Sequence, residues 1–170
     1  MAEAPQEKAL RVRLWGALSV LGLVLAALSF GLDQTFKWWM LHVIDIESRQ
    51  PIALLPVFDV ILAWNHGISY GWLSGGASQG FLIALTLAIS AGLWIWLAKV
   101  SRPLTAAAIG MILGGALANA FDRAVYGAVA DFFSFHVGSF DWYIFNLADV
   151  AIVAGVGLLV YESLREGRTR

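Results

Sequence analysis

Four long apolar stretches, three of them without a charged side chain, decide what this chain can fold into. Residues 14–32 run for nineteen positions without a charge, and residues 81–98 and 104–121 for eighteen each. A fourth stretch, 142–161, covers twenty positions and holds one charged residue, Asp149. About 20 apolar residues in a helix cross the roughly 30 Å of hydrocarbon in a bilayer. A soluble domain can bury one such helix, but four in 170 residues leave too little polar surface to cover them. The composition agrees, with 14% charged residues where a soluble domain carries about 25%. The expected fold class is an all-α polytopic membrane protein, a four transmembrane helix bundle forming one domain over 1–170. Its longer connecting segments are expected at about 33–80 and 122–141.

Basic residues orient the bundle. Lys8, Arg11 and Arg13 precede the first span, Lys99 and Arg102 separate the second from the third, and Arg165, Arg168 and Arg170 follow the fourth. Eight of the eleven Lys and Arg residues therefore share one side. The positive-inside rule places both termini in the cytoplasm and the two longer segments outside. The first span is read as a retained helix, because its apolar run is longer than a signal-peptide core and no Ala-x-Ala site precedes Asp33. With a net charge of −1, nothing points to nucleic acid as a partner, and the absence of cysteine excludes disulfides, thiolate metal sites and a cysteine nucleophile.

The outer segment 33–80 is too long for a bare turn. Trp38 and Trp39 fit an interfacial aromatic belt just beyond the first span. Residues 57–73 mix β-branched and aromatic residues around Asn65-His66-Gly67, which predicts a hairpin turn in a small β element on the membrane surface. Residues 74–78 read as a flexible lead into the second span. Gly110 and Gly114 in the third span form a small-xxx-small pair, with Gly115 adjoining, for close helix approach.

An ionisable residue in apolar surroundings at membrane depth calls for a functional explanation. Asp149 lies inside the fourth stretch, and Asp131 ends the uncharged run 124–130 and precedes Phe132-Phe133. Neither has a cation beside it, whereas Asp122 adjoins Arg123 and is expected to pair with it. Two carboxyl groups brought together there cannot both ionise cheaply, which leaves one acid and one base. Such a pair can activate water against a peptide carbonyl. A transport path or a structural role is the alternative, although charged groups confined to one end of the spans favour a site reached from the surface. His42, His66 and His136 lack metal-ligand spacing, so no metal or other cofactor is expected. A Ser–Lys pair is disfavoured: Lys99 lies on the wrong side and Lys37 has no identifiable serine.

Five segments occur in a telling order: Leu32-Asp33-Gln34 with Lys37; Asn65-x-Gly67 with Tyr70-Gly71; Gly114-Gly115-Ala116-x-x-Asn119-x-x-Asp122-Arg123; Gly127-x-Val129-x-Asp131-Phe132; and Phe145-Asn146-x-Ala148-Asp149. In this order the chain resembles signal peptidase II, the bacterial lipoprotein signal peptidase, from Leu32 to about Gly157. The resemblance implies an aspartic endopeptidase with Asp131 and Asp149 as catalytic dyad. Asp33, Asn65, Asn119, Asp122, Arg123 and Asn146 would support the site or bind substrate. It implies a periplasmic β-cradle, a mobile surface helix and a metal-free mechanism. Its substrates would be prolipoproteins carrying diacylglycerol on the cysteine after the scissile bond. The setting would be the bacterial inner membrane, with the site on the periplasmic side and in contact with lipid, and the enzyme active as a monomer. Ala118, Phe36 and Tyr70 depart from the family's usual residues; none touches the dyad.

Overall fold

The computed structural model describes residues 14–67, 76–138 and 140–167, without the side chains of 76, 77 and 141. The basic clusters Lys8–Arg11–Arg13 and Arg168–Arg170, the Tyr70-Gly71 pair and residues 74 and 75 of the flexible lead lie outside the described residues.

Helix α1 (Ser19–His42) does not stop at Leu32 but continues through Asp33 and Lys37 for 24 residues, about 36 Å. Nothing in 33–42 breaks a helix, and Asp33 and Lys37 are four residues apart, so they share a face and form an ion pair of 2.7 Å. Asp33 is thus a buried helix residue and does not open an outer loop. After the four-residue α2 (Ile46–Arg49) come strands β1 (Ile52–Leu55) and β2 (Phe58–Asn65). The hairpin turn falls at Pro56-Val57. Asn65 is instead the last residue of β2, and the Gly67 N–H just beyond it donates to the Asn65 side chain at 3.1 Å. Beyond the end of α1 no longer helix occurs among the described residues up to 75, so the expected surface helix is matched there only by α2.

Helices α3 (Gly76–Leu97) and α4 (Pro103–Tyr126) follow. Pro103 opens α4, where its missing N–H costs nothing. Gly127 closes it in the left-handed conformation, φ 72°, returning its N–H to the Arg123 carbonyl. The chain then forms β3 (Val129–Val137) and β4 (Phe140–Phe145) before α5 (Leu147–Gly167). Residues 142–145 are therefore strand, not the start of the fourth span. The four strands form one antiparallel sheet in sequence order.

Helix α4 is the centre of the bundle and packs on α1, α3 and α5. Gly110 and Gly114 lie against the backbone of Gly22 and Ala26 in α1; Gly115 and Gly155 bring α4 and α5 equally close, at Ala148 and Ala108. The outward faces of the helices expose Leu23, Leu28, Phe81, Leu85, Val153 and Val160. Among the described residues four helices meet the length and hydropathy needed to cross a membrane, and those faces meet lipid. The sheet packs on the end of α1 through Met40, Ile46, Val60, Ala130 and Phe132.

Candidate active site

The dyad predicted from sequence does come together. Asp131 projects from β3 and Asp149 from the first turn of α5, and both line a cavity of about 170 Å³ with Asn65, Gly67, Asn119, Arg123, Val129 and Tyr143. Asn146 explains the placement of Asp149. It is the residue before the first turn of α5, and its Oδ1 accepts the Asp149 N–H at 2.9 Å while the Asp149 carboxylate accepts the Asn146 N–H at 3.2 Å. This reciprocal pair is a capping box, and it satisfies two N–H groups that a helix start leaves open. The Asn146 side-chain amide then donates to Asp131 at 2.6 Å. One asparagine therefore holds both carboxylates.

The remaining contacts complete the frame. Asn65 donates to the second Asp131 oxygen at 3.2 Å, and Asn119 donates to Asp149 at 3.0 Å. Asn119 Oδ1 accepts from Asn146 at 3.1 Å and from Lys37 at 3.4 Å. Burial, then repulsion from Asp149, pushes the Asp131 pKa up to about 7, against the pull of the Asn146 and Asn65 hydrogen bonds. Between its ordinary value of 3.8 and about 7 the folded chain holds a proton that the unfolded chain has released. Stability should therefore fall as pH rises through that window, by up to about 4 kcal/mol from this group. Thermal unfolding in detergent from pH 4 to 8 should show that slope in the wild type, and Asp131→Asn should flatten it.

Asp122 does not pair with Arg123. Neighbouring positions on a helix point in different directions, and Arg123 instead donates to the carbonyls of Gly67 at 2.9 Å and Asn119 at 3.3 Å. The cation on Asp122 is Lys37, at 2.6 Å, which also holds Asp33; all three are buried. Gln34 donates to Asp122 at 2.7 Å. The two carboxylates have a second task. Asp33 accepts the N–H of Ala148 at 2.9 Å, and Asp122 that of Ala130 at 3.3 Å, the residues immediately before Asp149 and Asp131. Lys37 is thus the hub of a clamp on both segments, a role that the sequence motif alone does not assign to it. Its spacing of four from Asp33 is the sequence signal that could have found it. Gln34 and Tyr143 likewise carry no site role in the sequence reading, while His136 lies apart, 3.1 Å from Asp59.

The sequence model of the family Signal peptidase (SPase) II matches residues 25–165. The chain belongs to the signal peptidase II family. It is therefore a membrane peptidase of aspartic type. Among its relatives are the lipoprotein signal peptidase of Methylocella silvestris, 54% identical over 151 residues and covering 88% of each chain. That of Beijerinckia indica is 52% identical over 146 residues, 85% of this chain and 87% of the relative. Two solved bacterial membrane enzymes share the fold. One, at 2.3 Å resolution, has a TM-score of 0.77 at 24% identity over 93% of this chain and 95% of that one. The other, at 1.9 Å, has a TM-score of 0.73 at 25% identity over 89% and 97%. Among the described residues no cluster of three or more His, Asp or Glu side chains could hold a metal ion.

Proposed function

We propose that this signal peptidase II removes the signal peptide from diacylglyceryl-modified prolipoproteins, cutting before the lipidated cysteine, with Asp131 and Asp149 as its acid–base pair. The observation that carries this reading is the pair of carboxylates held in one cavity by Asn146. Asp131, protonated below about pH 7, donates to the carbonyl oxygen of the scissile bond. Asp149 takes a proton from the attacking water, whose oxygen bonds to the carbonyl carbon. When the tetrahedral adduct collapses, that proton passes to the leaving nitrogen as the C–N bond breaks, and a hydroxyl proton of the adduct returns to Asp131 as the new carbonyl forms. Asn65, Asn119 and Asn146 orient the carboxylates, and Asp33 and Asp122 with Lys37 set the segments that carry them. Arg123, at the cavity wall, orders Gly67 and faces the substrate.

In the same reading the whole chain is one domain, active as a monomer in the bacterial inner membrane. Both termini are cytoplasmic and the cavity opens to the periplasmic side. A signal peptide is an apolar helix and can reach the cavity sideways without leaving lipid. Diacyl chains on the following cysteine keep it there, at about 0.8 kcal/mol per buried methylene. Anchoring fixes depth and raises the effective concentration at the dyad. The test compares initial cleavage rates of one prolipoprotein with and without the diacylglyceryl group, in the same liposomes. The lipidated form should be cut at least tenfold faster. Equal rates would reduce the activity to general signal-peptide cleavage.

A further inference from the structure

We propose that Tyr143 is a further catalytic residue, whose hydroxyl donates a hydrogen bond to the oxygen of the scissile carbonyl beside the proton from Asp131. The proposal rests on the dyad reading above and adds a second donor to it.

An irregularity in the sheet puts the phenol there. Tyr143 belongs to β4, the edge strand that pairs only with β3. Phe133 and Ser134 pair with Phe145 and Ile144, but two positions further along β3 His136 pairs with Asp141, three back along β4. The extra residue falls at Trp142-Tyr143, and a bulge of this kind re-aims the side chains it carries. Trp142 is exposed, whereas Tyr143 is half-buried and lines the cavity with both aspartates. Its phenol also interacts electrostatically with Arg123 on the cavity wall, so the hydroxyl end of the ring reaches the cavity interior.

The other donors lining this cavity are committed to the protein. Asn65 serves Asp131, Asn119 serves Asp149, and the Gly67 N–H serves Asn65. Arg123 is fixed between the carbonyls of Gly67 and Asn119. Turning any of these toward a substrate would take a partner from a carboxylate, an amide or a carbonyl that needs it. A phenol is under no such constraint. Its hydrogen swings about one C–O bond and can follow an incoming oxygen while the ring stays in place.

The reaction has a use for that donor. A carbonyl oxygen carries two lone pairs, and the proton of Asp131 serves one of them. As water attacks the carbon, charge builds on this oxygen, and a donor aimed where charge develops lowers the barrier to reaction. Tyr143 supplies the second hydrogen bond and keeps its own proton throughout. All proton transfer stays with Asp131 and Asp149.

Tyr143→Phe removes the hydroxyl and keeps the half-buried ring, so the fold is retained. With a lipidated prolipoprotein in liposomes, kcat per folded molecule should fall by about 10²-fold, with KM within about twofold of wild type. A lipopeptide carrying –CH(OH)–CH2– in place of the scissile –CO–NH– mimics the adduct, and its inhibition constant should rise at least tenfold. A kcat within fivefold of wild type would overturn the proposal. So would an unchanged inhibition constant, or a raised KM at unchanged kcat, since Tyr143 would then only shape the cavity. Asp131→Asn, assayed alongside, tests the dyad separately. If it cleaves at the wild-type rate, the dyad reading fails and this proposal with it. A fully active Tyr143→Phe beside an inactive Asp131→Asn overturns the role of Tyr143 alone.

Discussion

Asp131→Asn and Asp149→Asn should each slow cleavage of a lipidated prolipoprotein by about 10³-fold or more while the protein stays folded in detergent. Asparagine keeps the size of the side chain and one oxygen for Asn146, Asn119 or Asn65 to bind, but it can neither take nor give the proton. Because the two groups act in one proton relay, the double variant should be no slower than the slower single one. Glu47→Gln, on the exposed α2, should cleave at the wild-type rate. Initial rates, with size-exclusion profiles to confirm folding, decide the matter. Turnover within tenfold of wild type by either single variant would remove that aspartate from the chemistry.

Lys37→Met should be the most destabilising single change at this end of the bundle. It leaves Asp33 and Asp122 buried beside each other without their cation. Removing one partner of a buried ion pair costs about 3–5 kcal/mol, because the remaining charge can neither reach water nor find a counterion. The expected result is a sharply lowered unfolding temperature and low yield. Lys37→Met combined with Asp33→Asn and Asp122→Asn removes all three charges and should recover much of the lost stability. Asparagine at both positions can still accept from Ala148 and Ala130, so the triple variant also isolates the effect of the ion cluster on rate. If the clamp sets the distance between the site aspartates, kcat per folded molecule should remain at least tenfold below wild type, with KM little changed. Full recovery of kcat would mean that the cluster serves stability alone.

The sequence revealed the chemistry better than the architecture around it. Asp131 and Asp149 stood out because each sits in an uncharged run, and burial is the property that raises Asp131. In sequence Asn146 is marked only by its motif, and its capping of α5 becomes legible only once the helix start is known. That start is hidden in the sequence because Trp142, Tyr143, Ile144 and Phe145 are as apolar as the helix they precede, and a short apolar run does not distinguish strand from helix. Adjacency pairs Asp122 with Arg123, whereas folding brings it Lys37 from 85 positions away. Asn65-His66-Gly67 carries a turn signal, but its asparagine is turned toward Asp131, and the hairpin is made by Pro56-Val57.

The contacts of α4 with α1 and α5 also determine where this sequence is free to vary. A methyl group added at Gly110, Gly114, Gly115 or Gly155 would in each case strike a backbone carbonyl oxygen of the facing helix, which no change of rotamer can move aside. Added at Gly80, Gly92 or Gly157, the same methyl meets nothing. Substitutions drifting into this chain over generations should therefore accumulate on the lipid-facing sides of α3 and α5. Along the seams of α4 the permitted vocabulary shrinks to the smallest residue.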